Sequence, residues 1–256
     1  MNLNSRILGS SEKKLVILHG FLGSLDNWIT IGRKLEQLNL EVHLVDLRNH
    51  GKSFHSKDFS YDYMCSDLKK YLDSKNIKKT SILGHSMGGK VVFSFLENHE
   101  NYLDKTIIAD ILPIEYKNSY YNIFQSLKSI NPRTLTKRIE FEEHLKNYFD
   151  DELFISFLSK NLTRDENGNF KFKFNLITLS EKFDEVLKAL KPSRIIHKEI
   201  NLIYGAKSDY ITESKLNDSL QYFSNIKLSV IENAGHWLHY EKQDDFINHC
   251  KKIISI

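Results

Sequence analysis

The chain is 256 residues long, 41% hydrophobic and 27% charged with three prolines, enough for one large α/β domain or a domain with an insertion, and enough to bury a sizeable core. Lys+Arg 36 against Asp+Glu 33 leaves a net charge of +3 spread along the sequence without a basic block, so nucleic acid is not the implied partner. Cys65 and Cys250 are far apart and lack metal-ligand spacing, which argues against a disulfide framework and a cysteine zinc site and for a reducing compartment, with both thiols as small core residues.

The stretch Met1 to Ser11 is polar and strand-like and lacks the apolar stretch of a signal peptide, and no later run approaches the length of a membrane span. The expectation is a cytoplasmic protein. Lys14 to Leu18 is a short continuous apolar run ending at His19-Gly20, the pattern of a strand buried on both faces in a parallel sheet. Asp26 is placed to cap a helix through Trp28, Ile31, Leu35 and Leu38, and Glu41 to Val45 returns as a strand. A helix over 62–72, a strand over 79–83, a helix over 87–98 and a strand over 105–109 continue the alternation, which predicts a mostly parallel sheet flanked by helices.

From about 114 to 195 the texture changes to helical, aromatic-rich segments with one plausible strand pair near Phe170 to Phe174. Tyr116, Tyr120, Tyr121, Phe124 and Leu127, then Phe141 to Phe149 and Phe154 to Leu158, predict short amphipathic helices. Their apolar faces either pack on the main domain or roof a cleft as a lid, since cores and apolar ligand sites use the same residue types. Asn167-Gly168-Asn169 reads as a hairpin tip. The alternation resumes with strands over 199–204 and 227–231 and helices over 213–222 and 241–254. With no internal repeat or flexible linker, residues 1–256 read as a single α/β domain carrying a mainly helical cap.

The chemistry centres on Ile82-Leu83-Gly84-His85-Ser86-Met87-Gly88-Gly89-Lys90, where a strand meets a helix at a serine. In a sharp strand-to-helix turn the residues two before and two after the serine press on neighbouring backbone, so Gly84 and Gly88 let Ser86 project as a nucleophile. A serine hydroxyl needs a histidine to take its proton and a carboxylate to orient that histidine. Residues just after parallel strands converge at one sheet edge, which selects Asp110 and His236. The order serine, acid, histidine is that of an α/β-hydrolase. Asp209 also follows a strand and competes with Asp110 for the role of acid. The amides of Met87 and Phe21 are the expected oxyanion donors, and His85 and Trp237 the expected substrate contacts, with packing beside the elbow as the alternative for His85. His239, three residues after His236, has no third ligand beside it, so neither a metal nor another cofactor is implied.

The segments His19 to Asn27, Asp46 to Gly51, Gly84 to Lys90, Asp110 to Pro113 and Ala234 to Trp237 resemble the YbfF-type esterases, a small bacterial branch of the α/β-hydrolases related to a mitochondrial abhydrolase of animals. The resemblance runs from residue 15 to the C-terminus and is weakest in the cap. It implies the α/β-hydrolase fold, a serine esterase with some acyl-CoA thioesterase activity, Ser86 and His236 in their usual roles, and Asp110 as the acid. Many α/β-hydrolases carry the acid three residues after a glycine; here Ser208 fills that place and Asp209 lies one further on. The expected substrate is a small acyl ester or thioester. A cofactor-free C–C hydrolase or lyase on the same residues, and a non-catalytic binding module, are the alternatives, and acyl length and oligomeric state are open.

Overall fold

The computed structural model describes residues 2–117 and 120–255. Its strands are β1 (Ser5–Leu8), β2 (Lys14–Leu18), β3 (Glu41–Val45), β4 (Thr80–His85), β5 (Leu103–Ala109), β6 (Leu162–Arg164), β7 (Phe170–Phe172), β8 (Ile200–Gly205) and β9 (Ile226–Ile231). Seven of them form one sheet in the order β1-β3-β2-β4-β5-β8-β9, and β6 and β7 pair separately as an antiparallel hairpin. Within the large sheet only β1 runs antiparallel, so the fold is the mostly parallel α/β sheet that the alternation predicts. Burial explains the apolar runs: all six residues of β4 are buried at the sheet centre, while β9 at the edge buries only Ile231 and leaves Leu228 and Val230 exposed. The strand-like stretch at the start forms β1, and Met1 lies outside the described residues.

The helices are α1 (Ile29–Glu36), α2 (Tyr61–Ser74), α3 (Met87–His99), α4 (Tyr121–Lys128), α5 (Arg138–Lys146), α6 (Glu152–Ser159), α7 (Leu176–Glu181), α8 (Phe183–Leu187), α9 (Glu213–Leu220), α10 (Leu238–Glu241) and α11 (Gln243–Ile254). Three expectations need correction. Asp26 does not cap α1: it sits inside a 3₁₀ turn, Leu25–Trp28, entered through Ser24, whose amide bonds the Asn27 side chain at 2.8 Å, and its carboxylate pairs with Lys173 instead. The helix expected over 241–254 begins at Gln243, because Lys242, at φ −134° and ψ 57°, leaves the helical region and separates it from α10; the Glu241 side chain accepts the amides of Gly235 and Trp237. The helix expected to begin at Tyr116 begins at Tyr121, with Tyr116 in the preceding loop; residues 118 and 119 of that stretch lie outside the described residues.

Apolar residues on the two faces of the sheet form two clusters. One, around Leu15, Ile17, Trp28 and Phe246, packs α1 and α11 beneath the sheet. The other, around Val16, Leu18, Ile82 and Phe95, runs on without interruption into Phe141, Leu145 and Leu158 of the segment between β5 and β8. Fully burying each such side chain is worth roughly 1.5–3 kcal/mol, so that segment is held by a shared core. Cys65 and Cys250 are buried and unpaired, one in each cluster. Among the described residues no helix is long and apolar enough to cross a membrane.

Candidate active site

Ser86 stands between β4 and α3 with φ 52° and ψ −122°, a conformation that non-glycine residues rarely adopt. Close packing enforces it. A Cβ on Gly84 would lie 2.4 Å from the Gly88 carbonyl oxygen, and one on Gly88 would lie 2.5 Å from the Leu18 carbonyl oxygen, so both glycines are required by backbone contacts. The Ser86 amide donates to the Ala109 carbonyl at 3.0 Å, which ties the elbow to the end of β5.

Asp110, directly after β5, is also at positive φ (53°), held by its amide bonding the Ile203 carbonyl of β8. Its carboxylate is fully buried and accepts three hydrogen bonds. Oδ1 accepts the Gly205 amide at 3.1 Å, and Oδ2 accepts both the Ser208 hydroxyl and the Nδ1 proton of His236, the latter at 2.7 Å. On the far side of the imidazole, Nε2 lies 3.1 Å from Ser86 Oγ. Three residues from three strand ends thus form one hydrogen-bonded line. Asp209, one position past Ser208, is exposed and is not part of it.

The His236 ring is positioned from three sides. Tyr210 stacks on it with centroids 3.7 Å apart and planes 14° from parallel, Asp110 holds Nδ1, and the His85 ring donates from Nε2 to the His236 carbonyl at 3.0 Å. His85 is buried, and burial followed by the neighbouring His239 and His236 holds its pKa well below the usual histidine value. A neutral His85 can serve as that donor without adding a second positive charge beside His236.

The loop Gly20 to Gly23 is organised by two more buried histidines. His50 donates from Nδ1 to the Arg48 carbonyl and accepts the Leu22 amide on Nε2 at 3.2 Å, and His19 donates to the Gly20 carbonyl while accepting the Leu47 amide. Burial pushes both pKa values down, which fits rings that each donate once and accept once. Phe21 lies in this loop and Met87 begins α3, and both line a cavity that Ser86 also lines.

Two small cavities meet at Ser86. Each holds about 20 Å³; one is walled by Met87, Tyr116, Tyr120, Phe183 and Lys90, the other by His85, Phe154, Phe157 and Trp237. Trp237 packs on Phe157 with centroids 4.3 Å apart. Aromatic residues of the segment between β5 and β8 therefore both share the core and wall the cleft.

Four contributors were not anticipated from the sequence. Ser208 hydrogen-bonds Asp110 and Tyr210 stacks on His236. Tyr116 donates its hydroxyl to the Tyr210 carbonyl. Lys90, although charged, is 1% exposed, with its ammonium bonded to the carbonyls of Val186, Leu187 and Lys188 and 5.0 Å from the Tyr116 ring. Burial pushes its pKa down to about 7 against the opposing pull of Glu115. Its place immediately after Gly88-Gly89, on the helix face beneath Ser86, was the available signal.

Residues 13–243 match the alpha/beta hydrolase fold family. The chain belongs to that family. Among α/β-hydrolases it is 29% identical over 246 residues to the esterase YbfF of Escherichia coli (strain K12), which spans 96% of this chain and 94% of the relative. It is 30% identical over 242 residues to the sn-1-specific diacylglycerol lipase ABHD11 of Danio rerio, spanning 91% of this chain and 76% of that one. The solved structure of a marine microorganism esterase aligns with a TM-score of 0.95 at 36% identity, covering 98% and 99% of the two chains. The YbfF-type resemblance thus extends over nearly the whole of this α/β-hydrolase.

Proposed function

We propose that the protein is a carboxylic ester hydrolase acting through an acyl-enzyme on Ser86, with His236 as base and then acid and Asp110 as the acid that orients it. The observation that carries this is the unbroken line from Ser86 Oγ to His236 Nε2, 3.1 Å, and from His236 Nδ1 to Asp110 Oδ2, 2.7 Å. Esterase relatives spanning the chain support the same reading.

Ser86 Oγ attacks the acyl carbon as its proton passes to His236 Nε2, and the oxyanion is taken by the Phe21 and Met87 amides. His236 then protonates the departing alkoxide, the ester bond breaks, and Asp110 balances the imidazolium for as long as it exists. Water deprotonated by His236 attacks the acyl-enzyme, releasing the carboxylic acid and returning the proton to Ser86. A thioester follows the same path, with a thiolate leaving group that needs less help from the acid, so acyl thioesters belong to the proposed substrate range. His85 and Trp237 wall one of the two cavities that receive the acyl and leaving groups, and residues 114–195 serve as the cap of a single domain.

A series of p-nitrophenyl acyl esters and acyl-CoA thioesters tests the reading. Wild-type protein turns over members of the series and is labelled by a fluorophosphonate, while Ser86→Ala loses labelling and falls by roughly 10⁴-fold or more in turnover. Equal turnover by the two proteins would overturn it.

A further inference from the structure

A further, roomier cavity lies away from Ser86. It holds about 450 Å³ between β1, the loop after β3, the 3₁₀ turn at Leu25–Trp28 and the β6–β7 hairpin, and it shares no lining residue with either cavity at the serine. Its walls carry Arg6, Lys52, His55, Arg164, Lys171 and Lys173, opposed by Asp26 and Asp46. Five fixed cations against two carboxylates leave an excess of three, as large as the net +3 of the entire chain. The basic residues arrive from three separate segments of chain, which is why no basic block exists in the sequence.

Both carboxylates are already engaged, which leaves the excess of three uncompensated. Asp46 accepts the Leu25 and Lys52 amides and the Asn4 side chain, and Asp26 is paired with Lys173 at 2.8 Å. Arg164 is fixed in place: its guanidinium lies 4.1 Å over the Phe170 ring and donates to the Gly168 and Thr136 carbonyls. The charged ends of Arg6, Lys52 and Lys171 form none of the ion pairs or hydrogen bonds seen among the described residues. His55 registers the local field, its pKa lowered by burial and then by Lys171.

Like charges gathered around a concavity repel one another, and an anion within it relieves that repulsion. The volume falls in the range of small-molecule sites, and guanidinium forks with ammonium groups suit phosphoryl oxygens. A flat basic patch would suit a membrane or a nucleic acid; these cations instead converge on a cleft. We propose that this cavity binds the phosphoryl groups of a small anionic ligand, independently of the hydrolytic reading of Ser86. The phosphoryl groups belong either to a separate effector or to the leaving-group end of a substrate.

Titration calorimetry at low salt with ADP and with pyrophosphate tests the site directly, using wild type and the double variant Arg6→Glu, Lys171→Glu, both exposed positions outside the Ser86 machinery. Wild type binds both probes, and the variant, with an unchanged melting temperature, binds at least about tenfold more weakly. A second arm separates the sources: ADP that changes the turnover of a neutral p-nitrophenyl ester marks an effector site, and ADP that competes only with an acyl-CoA thioester marks the tail of a substrate. Absence of binding at millimolar probe, equal binding by the variant, or binding to anionic vesicles alone overturns the proposal. The binding arm stands even if Ser86 proves inactive.

Discussion

Oδ2 of Asp110 lies 2.7 Å from Nδ1 of His236 in a fully buried setting, while Asp209, the other acid that follows a strand, is exposed. The difference arises one residue away. Ser208 turns its hydroxyl onto Asp110, and that turn faces the next side chain to solvent. Asp110→Asn keeps the shape but offers an amide in place of a charge, so turnover of an acyl ester is expected to fall by about 10³–10⁴-fold. Asp209→Asn should change it by no more than about twofold. Steady-state kinetics of the two variants decide the matter, and the reverse pattern would transfer the acid's role to Asp209.

The elbow glycines should be intolerant for a backbone reason. A methyl group at Gly84 meets the Gly88 carbonyl oxygen at 2.4 Å, and the chain there has no flexible side chain to yield. Gly84→Ala should therefore cost roughly 1–3 kcal/mol in stability and, by displacing Ser86, about 100-fold in turnover. Gly168→Ala is the control: it sits at the hairpin tip with nothing within 4 Å, so only its φ of +81° opposes the change, at about 1 kcal/mol, and turnover should hold. Chemical unfolding and ester kinetics on both variants make the comparison, and a Gly84→Ala protein with wild-type turnover would refute the steric account.

How much was legible follows from which forces act locally. Ser86, Gly84 and Gly88 were readable because their constraint lies within a few residues of chain, and Asp110 and His236 because strand ends converge in a parallel sheet. Asp26 misled because a short acidic residue before an apolar run is a normal cap signal, and only the tertiary partner Lys173 and the neighbouring Ser24–Asn27 bond reveal that it is not one. Helices α7 and α8 are six and five residues long, too short to display a period. Lys90 had only its place in the elbow motif as a signal, and its burial against Val186 to Lys188, like the cationic cleft, was not legible, since each is assembled by segments that meet only in the folded chain.

Lys90 links the elbow helix to the end of α8 through three carbonyls, and Tyr61 adds a fourth bond by donating to Val186 at 2.8 Å. Replacing Lys90 by methionine removes a buried amine whose charged form burial penalises, and leaves the Lys188 carbonyl without that donor, a cost of about 1–3 kcal/mol. Relief of the burial penalty should be the larger effect. Lys90→Met is expected to melt no lower than wild type, yet to exchange its amide hydrogens faster over Val186 to Lys188, where the tie is lost. A large drop in melting temperature with unchanged exchange there would show that Lys90 supports the core instead of holding the cap.

His239 gives the fold an acid sensitivity of known sign. Its ring stacks on Trp28 with centroids 4.4 Å apart and planes 6° from parallel, and its Nδ1 has no hydrogen-bond partner among the described residues. Burial, and then His236, pushes its pKa down to about 3 from the ordinary 6.5. Between those values the unfolded chain binds a proton that the folded chain refuses, so stability rises with pH across the window and is lost as pH falls from 6.5 towards 3. Each pH unit below the ordinary value removes about 1.4 kcal/mol, or about 2 kcal/mol by pH 5. Burial lowers the pKa values of His85 and His50 in the same direction, so the losses accumulate. His239→Phe keeps an aromatic ring against Trp28 and removes both the titrating group and the unpaired nitrogen. Urea unfolding at pH 5, 6 and 7 should therefore show a shallower loss of stability in the variant, by about one proton's worth of slope, and parallel curves for the two proteins would contradict a neutral, buried His239.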